Sequence, residues 1–209
     1  MPEFSSSAEY FSAVQTRTGW AFILESFARF VAPETEALIL DVGAGPGALV
    51  EIFRHQYGAN AFGIDCDPAM VYAANQQVVG AVLTGCLPHL PFPDACFDIV
   101  TATNVLFLLE APDAALREIQ RVLVPGGSVV LLNPSPRMSL AAAAELASAR
   151  ELTGFARDNL LNWAKIAEAN HRWSTSDIET MFAQVGFDPV AFRERIGPGL
   201  ALYARGAKM

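Results

Sequence analysis

The chain has 209 residues, of which 52% are hydrophobic and 17% are charged, and its net charge is -8 at pH 7. This composition predicts one globular domain and excludes a disordered chain. The acidic balance, without a cluster of lysine or arginine, argues against a nucleic-acid partner, because such binding relies on basic side chains that face phosphates.

Helices and strands alternate through the first two thirds of the chain. Residues 8–31 are predicted to be helical, in two pieces broken near Gly19. Strands are predicted at residues 37–41, 59–65, 80–84, 97–103 and 128–133, and helices at residues 46–57, 68–78 and 112–123. Strands that alternate with helices form right-handed crossovers and a parallel sheet.

The alternation stops after Pro134. Residues 138–170 are rich in helix formers, and a helix over 175–185 is predicted, with Ser174 or Thr175 as its cap and Gly186 at its end. Strands at 189–195 and 200–204 flank the turn Gly197-Pro198-Gly199, which predicts a hairpin. We therefore expect an α/β fold with a Rossmann-like, seven-stranded, mostly parallel sheet, helices on both faces and an antiparallel last strand.

The turn after the first strand, LDVGAGPGA, is dense in glycine. Gly43, Gly45 and Ala48 satisfy the G-x-G-x-x-G/A pattern of dinucleotide sites. Gly43, Gly45 and Gly47, with Asp41 two residues ahead of them, also satisfy the D-x-G-x-G-x-G pattern of S-adenosylmethionine sites. Since glycine lets the backbone turn tightly against a ligand, both interpretations are sterically sound, and this turn alone does not decide between them.

Three residues near the end of the second strand suit either nucleotide. Asp65 ends that strand, where a carboxylate can accept hydrogen bonds from both ribose hydroxyls. Cys66 and Met70 could flank an adenine ring as soft apolar surfaces, with ordinary packing as the alternative.

Four segments in order carry a resemblance to a known family. They are LDVGAGPG, GID, LPFPDACFD followed by NVLFLL, and RVLVPGGSVVLLNP. Together they closely resemble class I S-adenosylmethionine-dependent methyltransferases, in particular the small-molecule branch that includes the ubiquinone/menaquinone C-methyltransferases. The resemblance covers residues 37–134, with weaker similarity through GF at 186–187, and dinucleotide enzymes lack this downstream set. It implies that S-adenosylmethionine is the cofactor.

The resemblance also implies a set of cofactor-binding residues, with one departure. Asp65 would bind the ribose. The methionine part would lie against Asp41, Gly43, Ala44, Gly45, Gly47 and Asn104, and the adenine against Cys66, Met70, Cys86 and Leu87. Many relatives have an acid at the position of Cys86, which binds the adenine amino group, and a cysteine is not a strong acceptor. The backbone around Cys86 and Leu87 could still pair with adenine.

Aromatic residues of the N-terminal helices and of the segment after the fifth strand are candidates for the acceptor site. We expect the acceptor to contact Tyr10, Trp20, Phe107, Phe155, Trp163 and Trp173, which suit an apolar or aromatic molecule. For each of them, ordinary core packing is the alternative. His171 is the candidate general base because imidazole titrates near neutral pH, and a surface or capping histidine is its alternative.

The predicted domain spans residues 1–209. It consists of a helical lid (1–32), a cofactor-binding core (37–134), a helical insertion over the acceptor site (138–174) and a closing helix and hairpin (175–209). The predicted function is methyl transfer to an O, N or C atom of a small molecule. A non-catalytic S-adenosylmethionine-binding or partner subunit and an NAD-dependent oxidoreductase are the alternatives. The oligomeric state, monomer or homodimer, stays open.

The cysteine content and the apolar runs bear on the cellular compartment. Cys66, Cys86 and Cys96 are odd in number and form no C-x-x-C motif, which indicates free thiols in a reducing compartment. We expect no metal site, since the cysteines and histidines are scattered. No apolar run reaches membrane-spanning length and the N-terminus lacks the pattern of a signal peptide, so we expect a cytoplasmic protein without a membrane partner.

Overall fold

The structure is a computed structural model that describes residues 4–77 and 80–209. Its α-helices are α1 (Ser7–Arg17), α2 (Trp20–Val31), α3 (Ala48–Tyr57), α4 (Pro68–Gln77), α5 (Pro112–Val122), α6 (Leu140–Ala149), α7 (Gly154–Glu168) and α8 (Thr175–Val185). Its strands are β1 (Leu38–Val42), β2 (Asn60–Asp65), β3 (Val82–Thr84), β4 (Phe97–Thr103), β5 (Leu123–Pro134), β6 (Phe187–Arg195) and β7 (Ala201–Lys208). A 3₁₀ turn, Leu106–Leu108, follows β4.

The strands form one seven-stranded sheet in the order β3-β2-β1-β4-β5-β7-β6. Strand β1 pairs in parallel with β2 and β4, and β4 pairs in parallel with β5. Strand β7 lies antiparallel between β5 and β6. This topology confirms the predicted fold class, including the antiparallel last strand.

Helices cover both faces of the sheet because its central strands are apolar on both sides. In β5, Val129 and Leu131 join the core beneath α5 and α8, while Val130 and Leu132 join the core beneath α2, α3 and α4. The alternation follows from the period of two in a strand. Trp163 of α7 packs against both cores, at the place where they approach each other.

Local signals set the ends of α8 as predicted. The hydroxyl of Ser174 accepts a hydrogen bond from the Asp177 N–H, and the Asp177 carboxylate accepts one from the Ser174 N–H. This capping box satisfies donors that the first helical turn leaves without partners. Gly186 ends the helix in the left-handed conformation, with a φ of 83°.

Several boundaries differ from the prediction. The insertion is not one helical run, because the chain turns between α6 and α7, where Glu151 has a φ of 52°. Helix α3 begins at Ala48 rather than residue 46, since Gly47 has a left-handed φ of 87°. Strand β5 begins at Leu123, earlier than expected. The predicted helix end at Val78 lies outside the described residues.

No helix within residues 4–77 and 80–209 is both long and apolar enough to cross a membrane.

Candidate active site

The glycine turn between β1 and α3 is held against the end of β2. The N–H groups of Gly43 and Ala44 donate hydrogen bonds to the Ile64 carbonyl oxygen, at 2.8 and 3.1 Å. A Cβ atom on Gly43 would collide with the Val105 side chain, whereas a Cβ on Gly45 would meet no heavy atom within 4 Å. The turn therefore packs closely on the protein side and leaves open space in front of Gly45.

Asp65 ends β2 and ties the glycine turn to the start of α4. Its Oδ2 accepts a hydrogen bond from the Gly45 N–H at 2.8 Å, and its Oδ1 accepts one from the Asp67 N–H at 2.9 Å. Since each carboxylate oxygen can accept more than one hydrogen bond, both oxygens can still accept one from a ligand. The backbone bonds hold the carboxylate in place before a ligand arrives.

Asp41 is buried in β1, with 1% of its surface exposed. Its Oδ1 accepts a hydrogen bond from the Thr101 hydroxyl of β4 at 2.7 Å. Burial raises the pKa of Asp41 to about 7; the Thr101 hydrogen bond opposes this rise and the charge of Asp65 adds to it. A cationic ligand group near this pair would favour the ionised carboxylate.

The expected adenine side carries two neighbouring thiols. Cys66 and Cys86, which follow β2 and β3, are both exposed, and the two thiols are close enough for Cys86 to affect the pKa of Cys66. Partial burial of its sulfur and the contact with Cys86 raise the pKa of Cys66, which therefore stays a neutral thiol at pH 7. Met70 is buried in the first turn of α4, and Leu87 is half-buried. None of these four residues has a carboxylate. Their backbone groups are therefore the strong hydrogen-bonding partners that they offer to an adenine ring.

Two asparagines stand side by side at the carboxyl ends of β4 and β5. The Asn104 N–H donates to the Leu132 carbonyl at 2.8 Å, and Asn104 has a φ of 56°. The Oδ1 of Asn104 and both polar side-chain atoms of Asn133 are buried without a hydrogen-bond partner in the described part of the chain. A buried amide without a partner is costly, so these groups suit a ligand.

Asn133 is a candidate that the sequence analysis missed. Its side chain is 0% exposed, and it ends the otherwise apolar run SVVLL. An amide at the end of a buried strand, on the edge of the sheet where ligands bind in such folds, was the available signal.

The structure separates the expected acceptor residues into three groups. In the first, the Tyr10 hydroxyl accepts a hydrogen bond from Asn159 Nδ2 at 3.0 Å, and the Tyr10 ring lies 5.7 Å edge-to-face from the Phe155 ring. In the second, Trp20 and Trp163 form an edge-to-face pair with ring centres 5.5 Å apart. These two tryptophans line a cavity of about 410 Å³ between α2, α7 and the β6–β7 turn.

The third group lies beside the 3₁₀ turn. The His171 N–H donates to the Phe107 carbonyl at 3.2 Å, and the His171 ring stacks on Trp173 at 5.4 Å with an angle of 11°. Phe107 and Trp173 are buried in the core beneath α5 and α8, whereas His171 is exposed. Of the six expected aromatic residues, Trp20 and Trp163 are the ones that line the cavity.

The glycine turn, the acid that ends β2 and the amides at the ends of β4 and β5 lie at the carboxyl ends of the parallel strands, where α/β folds of this kind bind nucleotides. Residues 40–131 match the family model described as a methyltransferase domain. A ubiquinone/menaquinone biosynthesis C-methyltransferase of Burkholderia orbicola is 31% identical over 79% of this chain and 73% of that protein. The corresponding protein of Ralstonia nicotianae is 37% identical over 45% of this chain and 42% of that protein, so this match spans less than half of either.

A solved structure shows the same fold. The chain is similar to a complex between the Haloferax volcanii Trm112 methyltransferase activator and a methyltransferase, with a TM-score of 0.71 and 20% identity over 94% of this chain and 92% of that chain. The chain belongs to the family of class I S-adenosylmethionine-dependent methyltransferases. It is therefore an enzyme that uses S-adenosylmethionine as its methyl donor, which decides between the two interpretations of the glycine turn.

The residues present fit this cofactor. Asp65 keeps acceptor capacity for two hydroxyls, Gly45 faces open space, and Asn104 offers an unpaired Oδ1. Asp65 supplies negative charge, and a sulfonium or ammonium group near Asp41 would favour the ionised form of its carboxyl. Cys86 remains the departure, because a thiol accepts a hydrogen bond only weakly.

Proposed function

We propose that this enzyme methylates an O, N or C atom of a small apolar or aromatic molecule bound above the carboxyl ends of β4 and β5. The observation that carries this proposal is the cavity of about 410 Å³ lined by Trp20 and Trp163, a volume typical of sites for small molecules. The cavity includes residues of the β6–β7 turn. This turn lies beside the carboxyl end of β5, on the same side of the sheet as the glycine turn after β1. Trp163 packs against both cores as well as lining the cavity.

The proposed cofactor-binding roles are based on the hydrogen-bonding groups that the site residues leave available. We propose that Asp65 accepts hydrogen bonds from both ribose hydroxyls, and that Gly43, Ala44, Gly45 and Gly47 support the methionine part. Asn104 would bind polar atoms of the methionine part, and Asp41 would offset positive charge from beneath. The unpaired Asn104 Oδ1 and the buried Asp41 carboxylate support these two roles.

On the adenine side we propose backbone recognition. Cys66 and Met70 would pack against the ring, and the backbone of Cys86 and Leu87 would pair with its edge. The neutral Cys66 thiol suits apolar packing better than hydrogen bonding to an amino group.

The cofactor supplies a methyl group that its cationic sulfur already activates. The residues of this chain therefore have three tasks: they align the acceptor atom with the methyl carbon and sulfur, they exclude water, and they accept a proton where the acceptor carries one. We propose His171 as the base for protonated acceptors, since its backbone is bonded to the 3₁₀ turn that follows β4. For such an acceptor, His171→Gln should lower kcat while leaving cofactor affinity unchanged.

Residues 1–32 are proposed to act as a lid, and residues 138–174 as a roof over the acceptor. Helix α1 connects the two sides of the site: the Ser7 hydroxyl donates to Asp67 Oδ2 at 2.6 Å, and Tyr10 is bonded to Asn159 of α7. Phe155 of α7 extends this contact by packing against Tyr10. Movement of α1 away from Asp67 and α7 would break both contacts and admit ligands. In its bound position, α1 would exclude water from the site.

We further propose that the enzyme acts in the cytoplasm on a free small molecule, as a monomer or a homodimer. The three free cysteines support a reducing compartment.

Isothermal titration with S-adenosylmethionine, S-adenosylhomocysteine and NAD tests the cofactor site. We expect the two sulfur nucleotides to bind and NAD not to bind. Asp65→Ala should weaken binding by at least about tenfold, since a charge-assisted hydrogen bond contributes roughly 1.5–3 kcal/mol. The matched control is Asp188→Ala, which removes the same charge from an exposed position on the edge strand β6. Binding of NAD alone, or equal effects of the two substitutions, would contradict the proposed site.

The acceptor is then sought by following S-adenosylhomocysteine formation with aromatic and quinone-like compounds. Trp20→Ala and Trp163→Ala should raise KM for an accepted compound without weakening cofactor binding. A loss of cofactor affinity in these variants would instead place the tryptophans in the cofactor site.

A further inference from the structure

The cavity between α2, α7 and the β6–β7 turn has walls of a particular kind. Apolar and aromatic side chains form most of its surface: Trp20, Phe22, Ile23, Leu146, Leu160 and Trp163. Arg150 and Arg195 also line it, and among the lining residues that the structure describes there is no aspartate or glutamate. A pair of cations without an acid is notable in a protein whose net charge is -8.

The two guanidinium groups retain hydrogen-bonding capacity. Arg195 lies 5.9 Å from the centre of the Tyr203 ring, and its Nη1 donates to the Glu194 carbonyl at 3.2 Å, which leaves most of its donors available. Within residues 4–77 and 80–209, neither Arg150 nor Arg195 forms an ion pair, whereas Arg121 and Arg137 do. A planar guanidinium with available donors is well suited to a carboxylate.

A third donor in the cavity wall also lacks a partner. The indole Nε1 of Trp163 is buried without a hydrogen bond in the described part of the chain. The cavity thus combines apolar walls with two guanidinium groups that donate hydrogen bonds and do not accept them.

We propose that this cavity binds an organic anion with a flat apolar body of one or two rings and a carboxylate. The body would lie beside Trp20 and Trp163, and the carboxylate would face Arg150 and Arg195. A neutral molecule of the same shape would leave both guanidinium groups without a charged partner. The identification of this anion as the methyl acceptor rests on the proposed function. The binding of the anion to the cavity does not depend on that function.

Matched aromatic probes test the charge preference directly. Isothermal titration of the full chain, with S-adenosylhomocysteine present, compares 2-naphthoate with its neutral counterpart 2-naphthamide. We expect 2-naphthoate to bind at least about tenfold more tightly, because charge-assisted hydrogen bonds are roughly twice as strong as neutral ones. Equal affinities, or no binding of either probe, would overturn the inference.

Arginine variants locate the preference. Arg150→Gln and Arg195→Gln should each weaken 2-naphthoate binding by about tenfold and leave 2-naphthamide binding unchanged, as expected for the loss of one charge-assisted contact. The control is Arg157→Gln on α7, since Arg157 lies outside the cavity lining and pairs with Asp158 at 3.5 Å. An equal loss in the Arg157→Gln variant would show a general charge effect and overturn the assignment.

Two further readouts separate this inference from the proposed function and from misfolding. Thermal unfolding identifies any variant that fails to fold. S-adenosylhomocysteine titration of the same samples reports the cofactor site. If the wild-type protein binds S-adenosylhomocysteine but shows no preference for 2-naphthoate, only the anion inference is overturned. If the wild-type protein does not bind S-adenosylhomocysteine, the proposed function is contradicted.

Discussion

Gly45 and Gly126 allow a matched test of where the cofactor lies. Both have a left-handed backbone, with φ of 54° and 76°, and a Cβ atom on either would meet no heavy atom within 4 Å. Gly45 belongs to the turn after β1, while Gly126 lies within β5 on its amino-terminal side. The two substitutions to alanine therefore introduce the same local strain at opposite ends of the sheet.

The expected change in stability is similar for both variants. An alanine held in the left-handed region costs about 1–2 kcal/mol relative to glycine. In a protein of this size, each 1 kcal/mol lowers Tm by roughly 2–4 °C. Gly43→Ala should cost more, by about a further 1–3 kcal/mol, because its Cβ would collide with the Val105 side chain.

Cofactor affinity should separate the two variants. The new methyl group of Gly45→Ala would project into the open space in front of the turn, where the methionine part is proposed to lie. We expect at least a tenfold loss of S-adenosylhomocysteine affinity, about 1.4 kcal/mol, and no loss for Gly126→Ala. Circular dichroism measures the unfolding and titration calorimetry the affinity. Wild-type affinity in Gly45→Ala, or an equal loss in Gly126→Ala, would refute the placement of the cofactor.

Three further substitutions test other contacts. The pKa of Asp41 is raised from 3.8 to about 7 in the fold, so the fold holds a proton that the unfolded chain releases between these values. The unfolding free energy should therefore fall by up to about 4 kcal/mol as pH rises from about 4 to about 7. Asp41→Asn, whose amide oxygen can still accept a hydrogen bond from Thr101, should reduce this dependence of the unfolding free energy on pH, as measured by urea unfolding. The same pH dependence in the variant would show that Asp41 is not its origin. Arg121, whose side chain is 32% exposed, forms hydrogen bonds with Glu118, Asp94 and the carbonyl groups of Leu90 and Phe92. Arg121→Met should therefore lower the unfolding free energy by about 2 kcal/mol, and a Tm equal to that of the wild type would contradict a stabilising role for these contacts. Ser174→Ala removes the capping hydroxyl of α8 and should cost about 1 kcal/mol by urea unfolding, an expectation that an unaltered midpoint would refute.

Much of the fold was predictable because its signals are local. The glycines of the turn after β1 select left-handed backbone, the capping residues of α8 satisfy helix-end groups, and Gly197-Pro198-Gly199 predicts a hairpin and hence an antiparallel last strand. The alternation of strands and helices then restricts the topology, because parallel crossovers have one hand. The resemblance in four ordered segments added the cofactor.

Local signals were insufficient for the insertion and for the acceptor side. The alanine-rich composition of residues 138–170 favours helix throughout, yet the chain turns between α6 and α7, where Glu151 has a φ of 52°. The sequence grouped Trp20, Trp163, Phe107 and Trp173 as one aromatic set. The structure assigns two of them to a cavity wall and two to a core.

The sequence by itself therefore determined the sheet and the residues that follow each parallel strand, since these depend on backbone conformation and on residues close together in the chain. Its resemblance to a known family supplied the cofactor. The tertiary structure alone decided that Arg150, Arg195 and Trp163 line one cavity, and that the Asn133 amide is buried without a partner among the described residues. Those relations join residues of different elements, and the physical reason is that they depend on how helices pack on the sheet, which no short stretch of sequence specifies.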